Sequence, residues 1–329
     1  MNESTRELDF VAGAADARLT DPAPGYVAIA RLKASLVERT GLLGMASVEG
    51  GRHLVFRHFL SFGTDAQRAA WSGKALSVAI SEPNVGAHPK LLTTRAECDG
   101  GVVRITGQKA WVSNGPSADA IIVFAITSEE AGRKRYSAFI VPRDTPGLTM
   151  TDMPGFHALR PSKHCLLTLD GCLVPDSAML GAPGSAYDYM ALPFRDVEDA
   201  AGTFGTLGAF RYAIGLFAGA NHPQPAKLGA IAGLIAVFEA AAERLVASLD
   251  AGGMRTGDAT LIGLRVLTTH LIDLLIDADK IPGGSVVVGG RLAEILAGLD
   301  ATLNIARGPR LARQTHLGEA ALRPRKTTL

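Results

Sequence analysis

Ser81-Glu82-Pro83-Asn84-Val85-Gly86 and, further along, Gly107-Gln108-Lys109-Ala110-Trp111-Val112-Ser113-Asn114-Gly115 are the stretches whose reading decides the fold. Between them, the β-prone runs Leu92–Cys98 and Val102–Gly107 flank Asp99-Gly100-Gly101. A glycine pair in that position suits the tight turn of an antiparallel hairpin. Further short β-rich runs follow at 120–126, 136–141 and 166–173, separated by Pro142, Pro146-Gly147, Pro154-Gly155 and Asp170-Gly171. The pattern predicts a compact antiparallel barrel or sandwich.

Outside this unit the spacing is helical. Tyr26, Ile29, Leu32 and Leu36, then Leu54, Phe56, Phe59 and Leu60, mark an N-terminal helical unit. After Pro183-Gly184 the chain is rich in Ala, Leu and Gly, with apolar residues at helix spacing in Leu228–Phe238 and Leu261–Leu275. The expected fold class is α+β: a short helical unit over 1–74, a β-domain over 75–182 and a helical bundle over 183–329.

Composition narrows the function classes. The 329 residues are 47% hydrophobic and 20% charged, which suits a folded chain with a sizeable core. A formal net charge of +1 leaves no whole-chain footprint for nucleic acid or an anionic membrane. The apolar runs are broken by charges, and Met1–Glu7 carries acidic residues where a signal peptide would be basic and then apolar. A cytoplasmic location is the expectation. Three cysteines without Cys-x-x-Cys spacing point away from a disulfide framework or a zinc site.

The two opening motifs resemble the acyl-CoA dehydrogenase family, and two flanking segments extend the likeness. Phe62-Gly63-Thr64-Asp65-Ala66-Gln67 is similar to the end of the family's N-terminal helical domain. Leu173-Val174-Pro175-Asp176-Ser177-Ala178-Met179-Leu180-Gly181 is similar to its exit from the β-domain. The resemblance implies FAD as cofactor and acyl-CoA as substrate. By it, backbone groups around Val78 and Ile80 meet the pyrimidine edge of the flavin, together with Ser81. Trp111 and Val112 lie at the ring, Ser113 approaches N5, and Gly283-Gly284 matches a Gly-Gly turn of the closing segment. A flat apolar wall and hydrogen bonds at the ring edge are what such a cofactor requires. Family tetramers build each flavin site across a dimer interface, so a homo-oligomer or a hetero-oligomer with a homologue is implied.

Several positions depart from the family pattern. Gly86-Ala87-His88 stands where Gly-Ser-Asp is usual, and His88 reads either as a base or as an ordinary loop residue. An Arg/Phe-Gly arm of the C-terminal domain is missing around Asn221-His222-Pro223-Gln224-Pro225. In the closing segment Arg307 stands where the catalytic Glu is expected and Pro309 where a flavin-contacting Thr is expected.

A permanently protonated guanidinium cannot accept the α-proton of a thioester. Some family members place the base on the first helix of the C-terminal domain, and there Arg195 and Asp196 compete for the position. Asp196 is the remaining base candidate; acidic residues at a helix N-terminus are the plain alternative. Arg307 is either a surface charge or an anion-binding residue for a CoA phosphate or substrate carboxylate. Three functions stay open: an acyl-thioester oxidoreductase with a displaced base, a degenerate subunit of a heteromeric acyl-CoA dehydrogenase, and a flavoenzyme oxidising a non-thioester substrate with an Asp base.

Overall fold

The computed structural model describes residues 24–153, 159–220, 222–252, 259–280 and 286–323. Its N-terminal helices are α1 (Tyr26–Thr40), α2 (Gly51–Phe59) and α3 (Asp65–Trp71), with a π turn (Ala46–Gly50) leading into α2. The strands are β1 (Leu76–Ala79), β2 (Arg95–Asp99), β3 (Val102–Ser113), β4 (Ala120–Glu130), β5 (Arg133–Pro142), β6 (Leu148–Asp152), β7 (His164–Pro175) and β8 (Met179–Leu180). A second π turn (Tyr187–Ala191) opens α4 (Leu192–Gly219). There follow α5 (Pro225–Asp250), α6 (Ala259–Asp279), α7 (Gly290–Asn304) and α8 (Arg307–Leu322). The architecture is α+β.

The predicted hairpin is β2–β3, with Asp99 opposite Val102. Gly100 and Gly101, at φ +56° and +85°, take the left-handed turn that residues with a Cβ resist. Among the described residues the strands join in the order β6-β7-β3-β2-β4-β5-β8, with β1 alongside β4. Pairing is antiparallel except at β1–β4 and at a single β2–β4 step, Arg95 with Ile126. This departs from a wholly antiparallel unit because β1 enters the sheet straight from the helical segment, in the direction of β4.

Period-2 alternation sends the two faces of β4 into different cores. Ala120, Ile122 and Phe124 pack toward the helices with Leu54, Phe59, Phe194 and Val197. Ile121, Val123 and Ala125 instead meet Val103, Ile105, Val112, Leu167 and Val174 inside the β-unit. Both faces are therefore anchored, and the sheet forms a rigid platform.

α1 has a small cluster of its own, Leu32 and Leu36 with Met45, and shares its larger core with the C-terminal helices. Ala30, Ala34 and Val37 of α1 pack against Phe204, Leu207 and Phe210 of α4, in one cluster with α5, α6 and α7. Gly208 permits this approach, since a Cβ there would collide with the Ala34 carbonyl. α6 is long and apolar enough to cross a membrane, with a mean hydropathy of 1.6. Leu261, Leu264, Leu271 and Leu275 on one face are nevertheless buried in the bundle. Asp279 accepts hydrogen bonds from the N–H groups of Val287, Val288 and Gly289, securing the entry to α7. α8 buries none of its residues.

The flanking motifs are joined directly. Thr64 and Gln67 form a capping box at α3, and Gln67 Nε2 also donates to the carbonyls of Ser177 and Met179, each at 2.9 Å. One glutamine thus fixes the end of the helical unit to the exit of the β-unit.

Candidate functional site

A cavity of about 470 Å³ opens between the two motifs that begin the sequence reading, lined by Pro83, Asn84, Gly86, Ala110, Trp111, Met153 and Leu166. Its wall is Trp111, which is 50% exposed. The β3–β7 register slips between Lys109 and Val112, so β3 carries an extra residue there. Trp111 occupies this bulge at φ +60°, a left-handed conformation that costs a bulky residue roughly 1–3 kcal/mol. The bulge turns the indole out of the alternation and toward the cavity, the use to which bulges beside functional sites are put. Val112, the next residue, is fully buried inside the β-unit. Its side chain therefore faces away from the cavity, leaving only its backbone toward the site.

A buried ion pair positions the loop opposite the indole. Lys109 Nζ lies 3.0 Å from Glu82 Oε1 and donates also to the Ile80 carbonyl at 3.2 Å. Glu82 accepts further hydrogen bonds from the Thr93 N–H and hydroxyl and from the Thr94 N–H. The two side chains are 4% and 0% exposed for Glu82 and Lys109. Burial raises the Glu82 carboxyl, but the Lys109 ammonium and the threonine donors outweigh it and bring the pKa down to about 2. Burial pushes the Lys109 ammonium down to about 8, with the Glu82 charge opposing. The Ala110 N–H donates to the Ser81 carbonyl at 2.9 Å, completing the join.

These bonds also fix the backbone around Ile80 and Ser81. The side chains of Val78 and Ile80 pack with the helix-facing core, and the Ile80 carbonyl is engaged by Lys109. The hydroxyl that links the strands is Ser77, which donates to the Ser113 carbonyl at 2.8 Å. Ser113 Oγ lies 3.0 Å from His164 Nε2 on β7, and burial lowers the His164 pKa. Asn114, at φ +58°, donates to the Ser47 carbonyl and accepts from Ser162 Oγ, tying the end of β3 to the π turn before α2. Gly115 is required by close approach, since a Cβ would lie 2.6 Å from Cys165 Sγ.

The structure also brings together the two segments competing for the base. Asp196, buried in the first turns of α4, has Oδ1 3.2 Å from Arg313 Nη2 of α8. Asp199 meets Arg265, Arg310 and Arg313 at 2.6, 2.9 and 3.6 Å. Arg307 is exposed, and the arginines that reach inward stand three and six residues beyond it. His88 is exposed in the loop after Gly86. Gly283 and Gly284 lie outside the described residues.

Sequence reading missed the Glu82–Lys109 pair, although both residues stand in the quoted motifs. An opposite charge in each of two short, otherwise apolar or small-residue stretches was the available signal. It also missed Arg265, a lone guanidinium in the apolar run Leu264-Arg265-Val266-Leu267.

Comparison with known proteins agrees with this geometry. Residues 77–172 match the family model for the acyl-CoA dehydrogenase middle domain. The chain is 33% identical over 178 residues to the mitochondrial isovaleryl-CoA dehydrogenase of Oryza sativa subsp. japonica, covering 50% of this chain and 43% of that protein. It is 35% identical over 134 residues to the human mitochondrial short-chain specific acyl-CoA dehydrogenase, covering 39% and 32%. These matches span less than half the length of the relatives.

In fold, the chain is similar to butyryl-CoA dehydrogenase from Megasphaera elsdenii, with a TM-score of 0.77 at 19% identity over 91% of this chain and 82% of that one. A glutaryl-CoA dehydrogenase from Mycobacterium smegmatis in complex with FADH2 aligns with a TM-score of 0.70 at 21% identity, over 90% and 80%. With Trp111 in its bulge and the Gln67 tie joining the flanking motifs, residues 77–172 match the acyl-CoA dehydrogenase middle domain and the chain has the fold of acyl-CoA dehydrogenases.

Proposed function

We propose that this protein is an FAD-dependent oxidoreductase of the acyl-CoA dehydrogenase kind, acting on an acyl thioester with a proton acceptor different from the family's usual glutamate. The observation that carries the reading is the half-exposed indole of Trp111, held in a strained bulge against an open cavity. A large aromatic kept outward at the expense of backbone strain fits a flat aromatic ligand stacked on it. Pro83, Ala110, Met153 and Leu166 supply apolar sides that exclude water around such a ring. Ser113 offers a hydroxyl at the end of the same strand, oriented by His164.

FAD, when bound, supplies a two-electron acceptor for a hydride from the acyl β-carbon. The chain's own task is then to position the thioester and take up the α-proton. Asp196 is the carboxylate available for that in the first turns of α4, and it must release Arg313 before it accepts a proton. Anaerobic addition of butyryl-CoA to the FAD-loaded protein tests the reading: bleaching of the flavin absorbance supports it. Asp196→Asn then lowers the bleaching rate by about 10²–10⁴-fold if Asp196 is the base. An unchanged rate removes it from the mechanism.

A second reading is favoured by the arginines themselves. Arg307 and Arg195 occupy the two places where the resemblance puts a base, which suits a subunit that contributes structure to a hetero-oligomer while a homologue carries the chemistry. FAD bound without bleaching by any acyl-CoA, in a chain that assembles with such a homologue, would favour this second reading.

A further inference from the structure

The seam of α4, α6 and α8 holds more positive charge than its carboxylates offset. Arg265 of α6 and Arg310 and Arg313 of α8 converge on Asp196 and Asp199, one helical turn of α4. Three guanidiniums thus face two carboxylates. Lys33 and Glu198 add one charge of each sign beside them, so the excess remains. Burial lowers the Arg265 guanidinium from its usual range, and the charges of Arg310 and Arg313 add to this effect while Asp199 opposes it.

Hydrogen bonding shows the same imbalance. Among the described residues, buried side-chain atoms without a directed hydrogen bond gather in this cluster: Asp196 Oδ1, Arg310 Nε and both Arg313 Nη atoms. Arg195 Nε, on the same turn of α4, is another. Arg265 Nη2 lies within bonding distance of Asp199 Oδ2, at 2.6 Å, whereas Arg313 stands 3.2 and 3.6 Å from Asp196 and Asp199 without directing its N–H groups onto their oxygens. Buried donors left in this way call for an acceptor, and several guanidiniums together suit a planar or tetrahedral oxyanion. Access requires no opening of a core, because α8 buries none of its residues and is held on α4 through Arg310 and Arg313.

We infer that the α4–α6–α8 seam is a binding site for a small oxyanion, a carboxylate or phosphate group seated between Arg265 and Arg313 with Arg310 as a further donor. The site shares Arg313 with Asp196, the base candidate of the proposed function, but it rests on the arginines and needs no bound flavin. It places an anion site at the inward-reaching, partly buried arginines of α6 and α8, in contrast to the exposed Arg307.

The test is calorimetric titration of the purified full chain with inorganic phosphate and, separately, with succinate, at ionic strength held constant with sodium chloride. Saturable binding of one ion per chain is expected, weakened at least tenfold in Arg265→Met and in Arg313→Met. Binding of phosphate alone identifies a phosphate site, and binding of succinate alone a carboxylate site; either supports the inference. Absence of saturable heat with both, or equal affinity in wild type and both variants, overturns it. Should the variants fail to fold, amide exchange in wild-type α8 decides. It slows at least tenfold with the bound ion, and unchanged exchange at saturating phosphate and succinate refutes the site.

Discussion

Lys109→Met removes one half of the ion pair that joins the two motifs, at a position where both partners are buried. Glu82 keeps three donors, the Thr93 N–H and hydroxyl and the Thr94 N–H, but loses its counter-ion 3.0 Å away. Stranding one member of a buried pair costs about 3–5 kcal/mol. At about 2–4 °C per kcal/mol for a large domain, the melting temperature falls by on the order of 10 °C.

The pH dependence carries a sharper signature. The Glu82 pKa in the folded chain, about 2, lies below the ordinary glutamate value of 4.5, so the unfolded chain binds more protons between these values. The stabilisation is complete above pH 4.5 and is lost as pH falls toward 2, amounting to about 3 kcal/mol at about 1.4 kcal/mol per pKa unit. Thermal unfolding of wild type, Lys109→Met, Glu82→Gln and the double variant, at neutral and acidic pH, measures both effects. The expected coupling between the sites is about 2–3 kcal/mol, and the acid-sensitive window shrinks in Lys109→Met. A loss below about 1 kcal/mol with additive effects would refute the reasoning.

Other perturbations test separate links. Trp111→Gly relieves the left-handed strain while removing the cavity wall; the melting temperature should hold within a few degrees, and FAD affinity should fall by at least about tenfold, read by flavin fluorescence titration. Gly107→Ala puts a Cβ at φ +151° and 2.5 Å from Thr94 Oγ1, and a loss of about 2–3 kcal/mol in urea unfolding is expected. Asp279→Ala strips the acceptor from three N–H groups at the entry to α7, costing about 1–3 kcal/mol in the same assay.

The sequence discloses what is local and periodic. Gly100-Gly101 announces the β2–β3 hairpin, and the apolar spacing of Leu261–Leu275 announces a bundle helix, because each pattern encodes a short-range geometry. Trp111 stands out as a candidate wall on the same grounds. The bulge that turns it outward depends on how β3 registers against β7, which no local window contains. Val112 illustrates the consequence, since neighbouring residues of one motif end on opposite sides of the sheet. The Glu82–Lys109 pair and the arginine cluster are likewise products of tertiary approach. Arg265 and Arg313 lie on different helices, and only the packing of α6 and α8 beside α4 brings them to Asp199.

The claim on which the account rests is that the cavity beside Trp111 holds a flavin ring. Its most direct measurement is titration of the purified, flavin-free chain with FAD, followed by absorbance and by quenching of Trp111 fluorescence, with Trp71→Phe used to isolate that signal. The account predicts saturation at one FAD per chain with quenching of Trp111, and loss of binding in Trp111→Gly. A wild-type chain that leaves FAD free in solution, or binds it with Trp111 fluorescence unchanged, would contradict it.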